Sequence, residues 1–122
     1  LKTFNHNSFG DPTGQNEDVT PNAAGSLHTT ASDYARFVAA ILRGEGLKRE
    51  TRRQMLGVQS RVNESCLICL APPTGKISGE VAWGLGWGLQ TTGEGKSFWH
   101  WGDNGNNKAF VVAFENRKDG LV

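Results

Sequence analysis

The spacing of apolar residues divides the chain into a helical first half and a strand-forming second half. Between residues 30 and 46, apolar side chains recur at the three- and four-residue spacing of one helix face: Tyr34, Phe37, Val38, Ile41 and Leu42. Thr30, with Asp33 three residues later, forms a capping box that predicts the start of this helix. Gly44 predicts its end.

The rest of the first half carries weaker signals. Residues 1–25 are polar and rich in Asn, Gly, Thr and Pro, which predicts an irregular connection. A second, shorter helix is predicted from about Lys48 to Leu56, with Met55 and Leu56 turned inward, so residues 30–57 form a helical segment. Residues 57–78 are predicted to be irregular.

From Glu80 onward the pattern is typical of strands. The runs "VAWGLGWGLQ", "SFWHWG" and "KAFVVAFE" are aromatic and β-branched, and each predicts one antiparallel strand. The connectors "TTGEGK" and "DNGNN" suit hairpin turns, and the final "LV" predicts the start of a fourth strand. Residues 80–122 are therefore a meander, and the fold class is α+β, with helices packed on an antiparallel sheet.

Length and charge narrow the class of protein. A chain of 122 residues holds one domain at most, and 37% hydrophobic content fits a folded chain. The net charge of +1 gives no argument for a nucleic-acid partner. The chain opens on Leu1 in mid-pattern and closes on "DGLV", which predicts a piece of a longer polypeptide.

Two cysteines form the motif "CLIC" at Cys66 and Cys69. A Cys-x-x-Cys pair can be a redox pair or half of a zinc site. Zinc needs further ligands, and neither His28 nor His100 lies at finger spacing from these cysteines. Packing of two small apolar residues near a loop is the favoured interpretation, so neither a metal nor a cofactor is predicted.

The second half is also rich in glycine and tryptophan. Gly84, Gly86 and Gly88 alternate with large residues, which predicts close approach of another backbone to the glycines. Four tryptophans either fill a sheet core or line a sugar-binding face. A carbohydrate-binding module would present them as exposed, coplanar indoles: Trp83, Trp87, Trp99 and Trp101.

Candidate chemistry lies in the stretch "WHWGDNG". His100 is a titratable imidazole between two aromatic residues, and Gly102 removes a side chain directly beyond them. The Asp103-Asn104-Gly105 turn adds backbone N–H groups near the end of the strand. An imidazole, amide donors and an accessible strand within a few residues are typical of part of an acyl-transfer site.

Three segments together carry a family resemblance. The runs "PNAAGSLHTTASDYARFVAAIL", "WGLGWGL" and "FWHWGDNG" resemble the C-terminal portion of the serine β-lactamase-like family. That family includes class C β-lactamases, D-alanyl-D-alanine carboxypeptidases and serine esterases. The resemblance covers residues 21–122 and implies part of a β-lactamase/transpeptidase-like catalytic domain, in a periplasmic, secreted or membrane-anchored protein.

The resemblance also implies roles for particular residues. His100, Trp101 and Gly102 match the family's third motif, His-x-Gly. His100 would supply positive charge or a proton, and the N–H of Asp103 would be one oxyanion-hole donor. Trp101, Gly102 and Asn104 would contact the substrate, which would lie antiparallel to the strand at Gly102.

The family's other two motifs are missing from the chain. No serine is followed by Lys at the third position, and Tyr34, the one tyrosine, is followed by Ala and Arg instead of x-Asn. The implied partner is therefore an N-terminal half of the same polypeptide carrying Ser-x-x-Lys and Tyr-x-Asn, and the chain alone is expected to be inactive. A non-catalytic relative that has lost the nucleophile is the alternative, and exposed edges of a truncated sheet would also allow copies to associate.

The third motif also departs from the usual pattern. Trp101 stands where the family usually has Thr or Ser, whose hydroxyl can hold a substrate carboxylate. Histidine in place of lysine makes the positive charge depend on pH. Both changes favour an esterase, or a peptidase of altered specificity, over a β-lactamase, with a small ester, amide or peptide as substrate.

Overall fold

A six-stranded antiparallel sheet, a two-stranded hairpin and two helices are present in a computed structural model that describes residues 4–15, 20–62, 80–104 and 107–122. The predicted α+β class is confirmed. The elements in chain order are β1 (Phe4–His6), β2 (Pro12–Gln15), α1 (Ala31–Arg43), α2 (Arg49–Met55), β3 (Ser60–Arg61), β4 (Glu80–Trp83), β5 (Gly88–Thr92), β6 (Gly95–Asn104), β7 (Asn107–Phe114) and β8 (Asp119–Leu121).

The main sheet follows the order of the sequence, β3-β4-β5-β6-β7-β8, and every neighbouring pair is antiparallel. Strands β4 to β8 are the predicted meander of residues 80–122, whereas β3 lies in the segment predicted to be irregular, so that prediction is wrong for Ser60 and Arg61. Strand β8 begins at Asp119, before the predicted final strand, and includes Leu121. Strands β5 and β6 are joined by a tight turn within "TTGEGK", as expected. The "DNGNN" turn includes residues 105 and 106, which lie outside the described residues.

Helix α1 begins and ends where its sequence predicts. The N–H of Asp33 donates to Thr30 Oγ1 over 3.0 Å, which satisfies one of the unpaired donors of the first turn. Gly44 adopts a left-handed conformation, with φ of 77°, and its N–H donates to the last turn of the helix. Phe37 departs from the predicted face, because it is 51% exposed and stacks on Trp87 at a centroid distance of 6.4 Å.

The core lies between α1 and one face of the sheet. Phe98 and Ala113 are directly opposite each other on β6 and β7, and both are fully buried. The buried cluster comprises Val38, Ile41, Leu42, Ala82, Trp87, Leu89, Phe98, Val111 and Ala113. Burial of this apolar surface, about 25 cal/mol per Å², is what holds the helix on the sheet.

Helix α2 supports the C-terminal end of α1. Met55 and Leu56 pack against the core, as predicted. Arg52 Nε donates to the Ile41 carbonyl over 2.8 Å, and Lys118 Nζ donates to the Leu42 carbonyl over 2.7 Å. Two cations therefore satisfy carbonyls at the negative end of the α1 dipole.

The prediction that residues 1–25 are irregular is wrong for residues 4–15, which form the β1–β2 hairpin. The cause is local side-chain hydrogen bonding by Asn7. Its Oδ1 atom accepts the N–H groups of Phe9 and Asp11, at 2.9 and 3.0 Å, and so reverses the chain without a recognised hairpin turn pair.

The prediction of one strand over "VAWGLGWGLQ" is also wrong, since the run contains two strands, β4 and β5. The N–H of Gly84 donates to the carbonyl of Trp87 over 2.8 Å and closes a tight turn. Gly86 lies within this turn at φ of 77°, a conformation that glycine adopts without strain.

Several predictions concern residues 63–79, which lie outside the described residues. They are the packing of Cys66 and Cys69 and the irregular path of that part of the loop.

Candidate active site

The candidate site is built on β6, whose two halves have different neighbours. Pairing with β5 ends where Gly88 meets Trp99, whereas pairing with β7 continues to Asn104 and Asn107. Within the described ranges, residues 100–104 therefore pair with a strand on one side only. We call their other side, facing away from β7, the open edge.

Strand geometry determines which backbone groups face the open edge. The N–H of Glu115 donates to the Lys96 carbonyl over 3.0 Å, so the backbone groups of Lys96 point toward β7. Successive residues of a strand point to alternate sides, and the β6–β7 register is continuous to Asn104. The N–H and C=O groups of Trp101 and Asp103 consequently turn toward the open edge.

The His100 side chain lies at this edge. Its Nδ1 atom is 2.9 Å from the carbonyl oxygen of Trp101. The imidazole also meets the rings of Trp83 and Trp87 edge-on, at centroid distances of 6.0 and 6.5 Å. Trp83 ends β4 and Trp87 precedes β5, so the imidazole lies beside the point where β5 begins.

A groove of about 690 Å³ opens beside His100 at the N-terminal end of α1. Its walls are largely small or apolar. The lining comes from the segment before α1, from the first turn of α1 and from the sheet: Ala23, Ala24, Gly25, Leu27, Ala31, Tyr34, His100, Trp101, Gly102, Lys108, Ala109, Phe110, Val111 and Val122. Partial burial raises the pKa of the Tyr34 hydroxyl above its ordinary value, because the phenolate loses hydration there.

The predicted site residues are only partly brought together. His100, Trp101 and Gly102 line the groove, and a Cβ atom added at Gly102 would meet no other atom within 4 Å. The Asp103 carboxylate lies across from Lys108 and forms an ion pair with its ammonium group. Asn104 ends β6, and its side chain lies outside the described residues.

The four tryptophans do not form the flat exposed surface that a carbohydrate-binding module would present. Trp87 is 6% exposed and Trp101 is 43% exposed, whereas Trp83 and Trp99 are half-buried. The rings of Trp83 and Trp99 are inclined at 56° to each other. The arrangement that the carbohydrate-binding alternative requires is therefore not present in this set.

Two of the three glycines of "GLGWG" are approached closely, by different groups, whereas a Cβ atom at Gly86 would meet no atom of the described residues within 4 Å and the prediction of close approach is wrong there. A Cβ atom at Gly84 would overlap the carbonyl oxygen of Met55, so the predicted approach of another backbone is confirmed there. At Gly88 the neighbour is instead the indole of Trp99, whose atoms would lie 2.5 Å from an added Cβ. Glycine at this position lets Trp99 fold flat over its cross-strand partner.

Two parts of the groove were not anticipated as site residues. Ala23, Ala24 and Gly25 belong to the predicted connection of residues 1–25, and Tyr34 is predicted to lie on the apolar face of α1. The available signal is the run of small residues at positions 23–26, a few residues before the Thr30 cap, because the segment that enters a helix packed on a sheet lies near the end of that sheet.

Among the described residues, no group of three His, Cys, Asp or Glu side chains is placed to hold a metal ion. In the same part of the chain, no helix has the length and apolar character needed to span a membrane.

Comparisons of the chain with protein-family models, with curated proteins and with solved structures found no match.

Proposed function

We propose that this chain forms one wall of the catalytic site of a serine hydrolase of the β-lactamase-like family, which cleaves an ester or an amide through an acyl-enzyme. The observation that carries the proposal is the open edge of β6 beside His100 and the groove. A strand end without β5 beside it offers backbone groups to a ligand, which a strand inside a sheet cannot do.

The direction of the Asp103 N–H supports a role in the oxyanion hole. Alternation along β6 turns this N–H toward the open edge, where the oxygen of a carbonyl group under attack would gain negative charge. A fixed donor of this kind lowers the barrier by about 3 kcal/mol, because it needs no reorganisation during the reaction.

The groove favours a particular kind of substrate. Gly102 leaves room beside the edge, and the lining of alanines, valines and Leu27 suits an uncharged apolar group. The ammonium group of Lys108, which also lines the groove, is paired with Asp103. A neutral ester or amide with an apolar acyl or alcohol portion therefore fits better than a substrate recognised by its carboxylate.

The nucleophile is assigned to an N-terminal half of the polypeptide that carries Ser-x-x-Lys and Tyr-x-Asn. Ser26 is the serine between Gly25 and Leu27 of the groove wall, but its hydroxyl donates to the Asn22 carbonyl over 2.8 Å and accepts the Asn22 N–H over 2.7 Å. This hydroxyl stabilises a local turn. One helix covering an antiparallel sheet, with His-x-Gly on an inner strand, agrees with part of a β-lactamase/transpeptidase-like fold.

The test is covalent labelling of the complete polypeptide with a fluorophosphonate probe. Gly102→Val places a side chain in the open space beside the edge, and Gly93→Val is its matched control in an exposed turn that also has no atom within 4 Å. We expect labelling of the wild-type protein and of Gly93→Val, and a loss of at least about tenfold for Gly102→Val and His100→Ala. Equal labelling of Gly102→Val would contradict the proposed site, and the absence of any adduct would instead favour the non-catalytic alternative.

A further inference from the structure

We infer that His100 is anchored at the open edge through Nδ1, which leaves Nε2 as the one ring nitrogen that can exchange a proton with a ligand in the groove. In this arrangement His100 caps the carbonyl of Trp101, at the point where β5 no longer covers β6. The Nδ1 bond of His100 does not depend on the proposed function, whereas its consequence for catalysis does.

The distance between Nδ1 and the Trp101 oxygen decides the tautomer. The two atoms are 2.9 Å apart, which is a hydrogen-bond distance. A carbonyl oxygen accepts and cannot donate, so the hydrogen must be on Nδ1. The neutral ring is then the Nδ1–H tautomer with its lone pair on Nε2, and the charged ring keeps the same bond.

The fold explains why this carbonyl is accessible to a donor from a side chain. The backbone groups of Trp101 turn toward the side on which β5 pairs with the earlier part of β6, but the β5 register stops at Trp99. A backbone carbonyl that loses its ladder partner bonds to a side chain or to water instead. The preceding residue supplies that group, because Nδ1 of its imidazole lies 2.9 Å from the Trp101 oxygen.

Two aromatic contacts hold the ring in this place. Trp83 and Trp87 meet the imidazole edge-on from the two sides of the β4–β5 turn, at 6.0 and 6.5 Å. Edge-on contacts at these distances are attractive. Together with the Nδ1 bond they restrict rotation of the ring, so the orientation of Nε2 is set before a ligand arrives.

Anchoring has a consequence for the reaction proposed above. A lysine at the start of the third motif would bring a permanent charge on a flexible chain, whereas the anchored imidazole brings one nitrogen in one orientation. Nε2 then gives a proton to the leaving group, or receives one, while Nδ1–H stays bound to Trp101.

The tautomer can be read by long-range ¹H–¹⁵N correlation spectroscopy of this chain, in which His100 is one of three histidines. The His100→Gln variant assigns its resonances by their loss. We expect a pyrrole-type nitrogen shift at Nδ1 and a pyridine-type shift at Nε2 in the neutral ring. The opposite pattern, or averaged shifts that report free exchange between tautomers, would overturn the inference.

A second measurement follows the hydrogen-bond acceptor, the carbonyl group of Trp101. Removing the donor in His100→Ala should move the ¹³C resonance of the Trp101 carbonyl upfield, whereas His100→Asn, whose amide nitrogen replaces Nδ1, should keep it near the wild-type value. An unchanged carbonyl shift in His100→Ala would overturn the anchoring, and if either variant fails to fold, the wild-type tautomer still decides. Anchoring observed together with a complete polypeptide that gives no covalent adduct would refute the proposed function alone.

Discussion

The two halves of β6 belong to one continuous strand and have opposite roles. Residues 95–99 lie between β5 and β7, and their Ser97 and Phe98 side chains are buried. Residues 100–104 pair with β7, and the His100 and Trp101 side chains are exposed. Both halves are rich in aromatic residues, so composition does not distinguish them. They differ because β5 begins opposite Trp99 and leaves the second half without a partner strand on that side among the described residues.

The start of β5 is fixed by the turn that precedes it. The Gly84–Trp87 hydrogen bond and the left-handed Gly86 end β4 and delay β5 until Gly88. A strand that started two residues earlier would extend the β5 register to Trp101 and close the open edge there. The location of the candidate site therefore follows from a short turn in a neighbouring strand as much as from its own residues.

The strongest test of this contrast compares Phe98→Ala with Trp101→Ala. Phe98 is fully buried, and its truncation should lower the free energy of unfolding by about 3–5 kcal/mol, through lost burial and the cavity left behind. Trp101 is 43% exposed, and its truncation should cost about 1 kcal/mol or less. Urea denaturation followed by circular dichroism measures both values, and similar losses would mean that both halves support the core equally.

A glycine pair gives the next largest effect. Gly88→Ala places a Cβ atom against the Trp99 indole at 2.5 Å and should cost about 1–3 kcal/mol of stability by overpacking. Gly102→Ala meets open space and should change stability by about 0.5 kcal/mol or less. Neither glycine has the positive φ that disfavours alanine, so a difference in stability between the two variants reports packing alone.

Denaturation midpoints of the two variants, measured side by side, test this difference. A Gly102→Ala variant as destabilised as Gly88→Ala would show that the space beside the open edge is filled in solution.

The sequence predicts where the helices and strands lie along the chain better than it predicts which of them pack or pair with each other. The α1 cap at Thr30 and its end at Gly44 depend on local hydrogen bonds, so they can be read from the chain directly. The Asn7 hairpin is also local, but its reversal rests on side-chain bonds that no recognised turn pair signals.

For the candidate site, His100 and Gly102 could be singled out because their residue types are unusual in a strand. The open edge could not be, because it depends on the register between β5 and β6, a relation between two segments. The groove wall at Ala23 and Leu27 has the same origin, since those residues line the same groove as the sheet only once α1 is docked.

The C-terminal end of helix α1 gives a further comparison. Its residues Ile41 and Leu42 belong to the core, and Arg52 donates a hydrogen bond to the Ile41 carbonyl. Arg52→Ala removes the bond to the Ile41 carbonyl and should lower stability by about 1.5 kcal/mol, since a bond from a charged donor to a part-buried carbonyl is lost. Arg53→Ala removes a solvent-exposed ion pair with Glu50 and should leave the unfolding midpoint unchanged within error. Thermal denaturation of the two variants provides the comparison, and equal midpoints would show that Arg52 does not hold the helix.

The N-terminal end of α1 reaches the groove through Tyr34, and its titration reports how far that end is covered. Burial raises the pKa of Tyr34 above 10.0 in the folded chain, so this group contributes stability that is fully present below pH 10.0 and is lost as the pH rises through the folded-state value. Because Tyr34 is the one tyrosine of the chain, phenolate absorbance follows it without overlap from other tyrosines. We expect a midpoint above that of the urea-unfolded chain, and Tyr34→Phe should lose less stability between neutral and alkaline pH than the wild type does. Equal titration midpoints of Tyr34 in the folded and unfolded chains would mean that the hydroxyl is fully hydrated in the groove. The N-terminal end of α1 would then not cover the half of β6 that carries His100.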